Sequence, residues 1–518
     1  MLSGHAEAQL PRLTPSADGR ILLKGDAPFF WMGDTAWRIN RLTAAELDQY
    51  LADRRAKGFN VIQGPVLHST YPDVNGEINP DPESPNEAWF GNIDQVIARS
   101  AEHGLYIVPV LTWVYQHSAF TLESAFAFGQ YVGQRYRDFT NIACFVVSGE
   151  FNHPFADVAL MNALATGLQD GLGDAPVIIS ALPRWYGNFG GQSSSYDLHQ
   201  QPWLGMNMHQ SSLYGDCSND PENLYHMGTH NWLLAEHDWP LTPTKPFIDA
   251  EPTYEQQSPL NPTCQFNPNR WPAFGVRRRA YWSVFAGAAG HTYGANGVFQ
   301  FYRPGDVNPE WDPNAYWFDA INFPGAADMT HLHRLMRSRP LSGRIPAQDL
   351  LLAGATELVP LHVHACRAGD GSYAMVYVPQ TAASITVDMD HLAGKSHRLW
   401  WFDAMTGAAT MAGEFTRADY DVDGSFAIST PASGEDWVLV IDDVAAGSTA
   451  PGVAPLWTPG DATGDDNVDV NDLLTVITTW GPCSAAHAPC PADLAPPDVG
   501  DEQVDVNDLL AVITNWST

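Results

Sequence analysis

Along the first 340 residues, short and predominantly apolar runs alternate with amphipathic segments. The runs are FFWMG at 29–33, NVIQG at 60–64, LYIVPVL at 105–111, ACFVVSG at 143–149, PVIIS at 176–180, WLGMNM at 203–208, PFIDA at 246–250 and AAGHTYG at 288–294. Near-continuous apolar runs of this length suit strands buried on both faces, as parallel strands are. Between them, TAAELDQYLADRRAKG at 43–58, NIDQVIARSAEHG at 92–104 and RWPAFGVRRRAYWSVFAG at 270–287 read as helices. Thr43 and Glu46 stand at the spacing of a capping box at the start of the first. Eight strand–helix units over residues 1–340 predict an α/β fold, the (β/α)8 TIM barrel. A doubly wound sheet would need a glycine-rich phosphate loop after its first strand, and GDTAW is not one.

From 345 to 442 the pattern changes to ELVPLHVHA, SYAMVYVP, SITVDM, HRLWWFD, FAIST and DWVLVI, separated by turn residues such as Gly369, Asp370, Gly371 and Gly407. With no helical period between them, these runs predict a small antiparallel β-sandwich. Residues 443–459, rich in Ala, Gly and Pro, read as a linker. The tail, 460–518, is an internal repeat: VDVNDLLTVITTW at 468–480 recurs as VDVNDLLAVITNW at 504–516, with eleven of thirteen positions identical at a spacing of 36. Each copy closes an acidic loop and opens a short helix.

Composition narrows the partners. A chain that is 45% hydrophobic with 18 Trp builds a large core. With 26 basic against 59 acidic residues the net charge is -33, which argues against nucleic acid or an anionic membrane surface as partner. Eleven of the acids and no Lys or Arg fall in 460–518. No run approaches the roughly 20 apolar residues of a membrane helix. The start, MLSGHAEAQLPRL, shows no secretory signal. The modular organisation nevertheless suggests a secreted, extracellular or periplasmic protein. Six cysteines are too few for a disulfide scaffold; Cys483 and Cys490 could bridge in an exported protein, and Cys144 reads as a core thiol.

In a TIM barrel the active site lies at the C-terminal ends of the strands. Glu150 ends strand four in VVSGEFNH and Glu251 ends strand seven in FIDAEPTYE. Two carboxylates across one mouth are what glycosidic hydrolysis uses, one protonating the leaving oxygen and the other stabilising or attacking the oxocarbenium-like centre, with no cofactor. Asp34, Trp37, Gln63, Trp113, Asn207, His209, Tyr254, His291 and Tyr293 also fall at strand ends and offer aromatic faces and polar groups for sugar rings and hydroxyls. The bland reading of each Glu is a helix cap or an Arg partner, and of each ring, core packing. A Ser/His/Asp hydrolase using His153 and Asp249 competes, without a G-x-S-x-G elbow to support it. From another class, a carbohydrate-binding or scaffold protein with a degenerate barrel would lack the Glu pair.

WMGDTAWRINRLTAAELDQYLADRRAKGFNVIQG, SGEFNH, FIDAEPTYE and GHTYGANGVFQF resemble signature stretches of the apiosidase-like glycoside hydrolases, family 140 and relatives, over roughly residues 20–340. Residues 345–442 resemble the β-sandwich module, described as collagen-binding, that follows the barrel in that family. The resemblance implies a retaining hydrolase of plant or algal polysaccharide side chains, with Glu150 as acid/base and Glu251 as nucleophile. Members tend to carry Asp in a GGD motif where this chain has Ser148, Gly149 and Glu150, so the sugar it implies need not be apiose.

In the tail, Asp461, Thr463, Asp465, Asp469 and Asp472 fall at positions 1, 3, 5, 9 and 12 of an EF-hand-like loop, with the Asn467 carbonyl at 7 and Asp466 in place of the usual Gly. In the second copy only Asp501, Asp505 and Asp508 match. The whole resembles a type I dockerin, which implies structural Ca²⁺ and a cohesin-like or cell-surface anchoring partner. The bland reading is an acidic helical hairpin without metal.

Overall fold

The computed structural model describes residues 10–151, 156–183, 192–211, 231–258, 269–354, 361–453, 460–462, 468, 470–482, 492, 494 and 503–516. Eight strands follow the eight apolar runs in order: β1 Trp31–Thr35, β2 Val61–Val66, β3 Tyr106–Val110, β4 Cys144–Val146, β5 Ile178–Ser180, β6 Asn207–Gln210, β7 Phe247–Asp249 and β8 Gly290–Tyr293. Each pairs in parallel with its neighbours in the order 5-4-3-2-1-8-7-6. The ring closes where Ile179 bridges Leu204, just ahead of β6, and the Gly205 N–H donates to the Ile179 carbonyl at 2.8 Å.

The pleat sorts the side chains. Trp31, Val61, Tyr106, Val108, Val110, Cys144, Val146, Met206, Met208 and Ile248 fill the barrel interior, whereas Met32, Ile62, Ile107, Phe145 and Phe247 belong to the outer core beneath the helices. That alternation of inward and outward residues is the strand period of two. Burial pushes the Cys144 thiol up, so it is inert packing. Three short antiparallel strands, Leu13–Pro15, Leu22–Lys24 and Ala27–Phe29, contribute Leu13, Leu22 and Phe29 to the interior cluster. The first helix, α1 Ala44–Ala56, opens with both halves of the Thr43/Glu46 capping box formed.

The segment after residue 343 forms two sheets, one of six strands and one of three, around its own core. One edge strand, Ala409–Thr416, and two short strands, Arg344–Pro346 and Leu351–Ala353, join the six read from the pattern. This module is fastened to the barrel by buried ion pairs. Arg277 on the helix Ala273–Phe285 donates to Asp436 at 2.6–3.2 Å, to Asp328 at 2.6 Å and to Glu435 at 2.7 Å, and Arg339 makes two 2.6 Å bonds to Asp442.

In the tail, the helices Val470–Thr478 and Val506–Thr514 pack with Val468, Val476, Val504 and Val512, equivalent pairs of the repeat, in a small core. Asp461 and Asp472 are buried there. Asp505 and Asp508 form a capping box at the second helix, and Asp508 also accepts the Leu494 N–H. Thr463, Asp465, Asn467, Asp469, Asp501, Cys483 and Cys490 lie outside the described residues.

Candidate active site

Glu150 and Glu251 meet at the mouth of the barrel in a cavity of about 560 Å³, within the range of small-ligand sites. Trp113 Nε1 donates to Glu150 Oε2 at 3.1 Å, and Tyr254 Oη donates to Glu251 Oε1 at 2.8 Å. Trp37 Nε1 donates in turn to Tyr254 Oη at 3.1 Å, and the Trp37 and Trp113 rings meet edge to face with centroids 5.1 Å apart. Gln210, at the end of β6, closes the circuit: its Nε2 donates to Glu150 Oε1 at 2.7 Å and to Glu251 Oε2 at 3.1 Å. At least one partner is an ionised carboxylate, an acceptor only, and the amide nitrogen faces both. The bridged oxygens are therefore no further apart than these two contacts laid end to end, 5.8 Å.

The loop carrying Glu150 is held from behind. Asp157 lies 3.2 Å from His117 Nδ1, His117 Nε2 is 2.9 Å from Ser148 Oγ, and Ser148 Oγ donates to the Glu150 carbonyl at 3.0 Å. Ser148 has the partners of a hydrolase serine but is fully buried, so the trio orients the loop rather than attacking a substrate. A Cβ on Gly149 would lie 2.1 Å from the Trp113 ring, so this position needs glycine for the indole to reach Glu150. Of the competing hydrolase reading, His153 lies outside the described residues, and Asp249 is buried, accepting from Asn231 at 2.9 Å.

Burial raises the Glu150 carboxyl above its ordinary value, against the hydrogen bonds from Gln210 and Trp113. Burial, and after it the Glu150 charge, pushes Glu251 up to about 8, against the bonds from Tyr254 and Trp37. Two buried carboxyls this close hold one proton between them across the neutral range, and that proton belongs to the pair.

Trp37, Trp113 and Tyr254 line the cavity as expected; the other six proposed sugar-binding residues do not. Asp34, Asn207, His209, His291 and Tyr293 have the outward parity of their strands. Asp34 accepts from Tyr50 Oη at 2.6 Å beside Arg54, and Asn207 pairs with His199 at 3.1 Å. His209 Nε2 contacts Asp238 at 3.0 Å, His291 contacts Ser283 at 3.1 Å, and Tyr293 donates to Glu255 at 2.6 Å. Gln63 is buried, donating to the Ala250 carbonyl at 2.9 Å. Much of the remaining wall comes from the segments between strands: Tyr71, Tyr115, Trp311 and the ion pair Arg38–Glu310, with the Arg38 guanidinium 3.6 Å above the Tyr71 ring. Gln210 was legible by counting in twos from the inward Met206 and Met208; the residues between strands carry no such signal.

The family described as "Apiosidase-like, catalytic domain" matches residues 16–342. The chain belongs to the apiosidase-like family. Residues 345–442 match the family described as "Putative collagen-binding domain of a collagenase". Among solved structures, a glycoside hydrolase is 30% identical over 84% of this chain and 97% of its own length, with a TM-score of 0.74. A glycoside hydrolase family 5 protein from Bacteroides vulgatus is 29% identical over 84% of this chain and 94% of its own, also with a TM-score of 0.74. No curated protein matches. This apiosidase-like chain is a glycoside hydrolase, an α/β barrel followed by a β-sheet module, and its substrate is a carbohydrate.

Among the described residues, no group of three or more His, Cys, Asp or Glu is placed to hold a metal, and no helix is long and apolar enough to cross a membrane.

Proposed function

We propose that this apiosidase-like hydrolase cleaves a sugar from the side chains of plant or algal polysaccharide with retention of configuration, Glu251 acting as nucleophile and Glu150 as acid/base. The supporting observation is the Gln210 bridge. Retaining enzymes place their carboxyls about 5–5.5 Å apart and inverting ones about 6.5–9.5 Å apart; a bridge that holds the nearest oxygens of the two groups within 5.8 Å of each other favours the closer arrangement. In the first step Glu150 gives its proton to the glycosidic oxygen while a Glu251 oxygen bonds to the anomeric carbon. In the second, Glu150 takes a proton from water as the water oxygen displaces Glu251. The shared proton must sit on Glu150 in the loaded site, and positive charge building at the anomeric centre beside Glu251 favours that placement. Trp37 and Trp113 offer ring faces and edges to the sugar.

The chain reads further as a secreted, modular enzyme whose tail binds structural Ca²⁺ and docks to a cohesin-like or cell-surface partner. The loop spacing of Asp461, Thr463, Asp465, Asp469 and Asp472, in a segment without Lys or Arg, favours a cation there. The test of the catalytic reading is ¹H NMR of the first-formed anomer released from a 4-nitrophenyl glycoside that the enzyme cleaves. Retention is expected, and a first-formed inverted sugar would refute the double displacement.

A further inference from the structure

Gln210 touches both of the carboxylates that the substrate must reach. Its Nε2 lies 2.7 Å from one carboxylate and 3.1 Å from the other, so it holds an oxygen of each of the two groups that the glycosidic bond has to reach. The remaining oxygens are also engaged, Glu150 Oε2 by Trp113 and Glu251 Oε1 by Tyr254. Proton transfer needs the glycosidic oxygen within about 2.6–3.2 Å of a Glu150 oxygen, and attack needs the anomeric carbon about 3–3.5 Å from a Glu251 oxygen. A glycosidic oxygen that takes the amide's place on Glu150 Oε1 frees one N–H of Gln210. That N–H is buried, and an unpaired buried donor is costly.

We infer that the freed N–H donates to the hydroxyl on the ring carbon next to the anomeric centre, making Gln210 the group by which the enzyme recognises that hydroxyl. The inference rests on the two-carboxylate reading and deepens it. The geometry favours this hydroxyl over others on the ring. Once the glycosidic oxygen takes the amide's place on Glu150 Oε1, the neighbouring hydroxyl oxygen is the nearest acceptor that keeps its strength, since the ring oxygen gains positive charge as the bond breaks. The second N–H keeps its hold on Glu251, so the amide tethers the sugar to the nucleophile and exchanges one acceptor for another without loss. A substrate lacking that hydroxyl leaves the N–H unpaired at the moment of reaction.

The experiment compares kcat/KM for a cleaved 4-nitrophenyl glycoside and its 2-deoxy counterpart in wild type, Gln210→Met and Gln210→Asn. Met keeps the length and removes the donors; Asn keeps the amide and withdraws it by one methylene. Wild type is expected to prefer the hydroxylated substrate by about 10²-fold or more, and both variants to reduce that preference at least tenfold. Comparing enzymes in this way cancels the intrinsic reactivity of the deoxy sugar. A preference unchanged in both variants, or absent in wild type, overturns the role of Gln210 while leaving the carboxylate pair intact. Turnover surviving in Glu251→Gln, or no glycoside cleaved at all, sinks the two-carboxylate reading and this inference with it.

Discussion

Substitution of Gly149 by Ala tests how tightly the site is built. The new Cβ would sit 2.1, 2.2 and 2.5 Å from three carbons of the Trp113 indole. Carbon atoms settle at about 3.5–4.0 Å, so the ring must withdraw by about 1.5 Å. The Trp113–Glu150 hydrogen bond, 3.1 Å long, does not survive such a move. Trp113 leans on Trp37, which holds Tyr254, which holds Glu251, so the displacement reaches the second carboxylate as well. Misplacement of about 1 Å costs roughly 10²-fold in rate, and overpacking costs about 1–3 kcal/mol of stability. We expect Gly149→Ala to lower kcat/KM on a 4-nitrophenyl glycoside by about 10²-fold, with kcat carrying most of the loss, and to lower Tm modestly. Trp113→Phe is the control, keeping the ring but removing the donor. It is expected to lose activity without the Tm penalty of a clash. A Gly149→Ala enzyme with wild-type kcat/KM and Tm would show that Trp113 does not depend on the space over Gly149.

Other consequences are open to measurement. Because the pair works with one proton, kcat/KM should fall as pH rises past about 8, where Glu251 and with it the pair loses that proton, and fall again in acid as the second carboxylate protonates; a profile flat through pH 9 would contradict the shared proton. Arg277→Met strands Asp436 and Asp328 in the barrel–sandwich junction, and breaking such a buried network typically costs about 3–5 kcal/mol. Thermal unfolding should therefore start well below wild type, and an unchanged Tm would show the junction is held by apolar packing. The isolated tail, 460–518, should gain helix by circular dichroism on adding Ca²⁺ and lose it in chelator, since its eleven acids repel one another around a small core; a helical spectrum in chelator would make the acidic repeat structural rather than a metal site.

The barrel was legible because parallel strands buried on both faces leave continuous apolar runs, and all eight runs are strands. Where reading failed, the causes are specific. WLGMNM placed the sixth strand at 203–208, but Trp203 and Leu204 are buried in the approach to the strand, and β6 runs on to Gln210, the residue that bridges the carboxylates. Treating every strand-end residue as facing the mouth ignored the pleat, which sends Asp34, Asn207, His209, His291 and Tyr293 outward. The strand Ala409–Thr416 escaped notice because it is an edge, mostly exposed along its length, with no apolar alternation to betray it. Tyr71, Tyr115, Glu310 and Trp311 reach the cavity on segments between strands whose course no periodicity encodes. Glu150 and Glu251 were legible as a facing pair because they close parallel strands whose C-terminal ends share one mouth.

The central claim, that Glu251 attacks and Glu150 supplies the proton, is tested most directly by the kinetics of Glu251→Gln and Glu150→Gln on two glycosides of the same sugar, one with a 2,4-dinitrophenyl aglycone and one with an alkyl aglycone. Glu251→Gln should lose turnover of both. Glu150→Gln should lose the alkyl glycoside but still release dinitrophenol in its first step, because that aglycone departs without a proton. Equal losses on both aglycones in Glu150→Gln, or the selective pattern appearing in Glu251→Gln, would contradict the assignment.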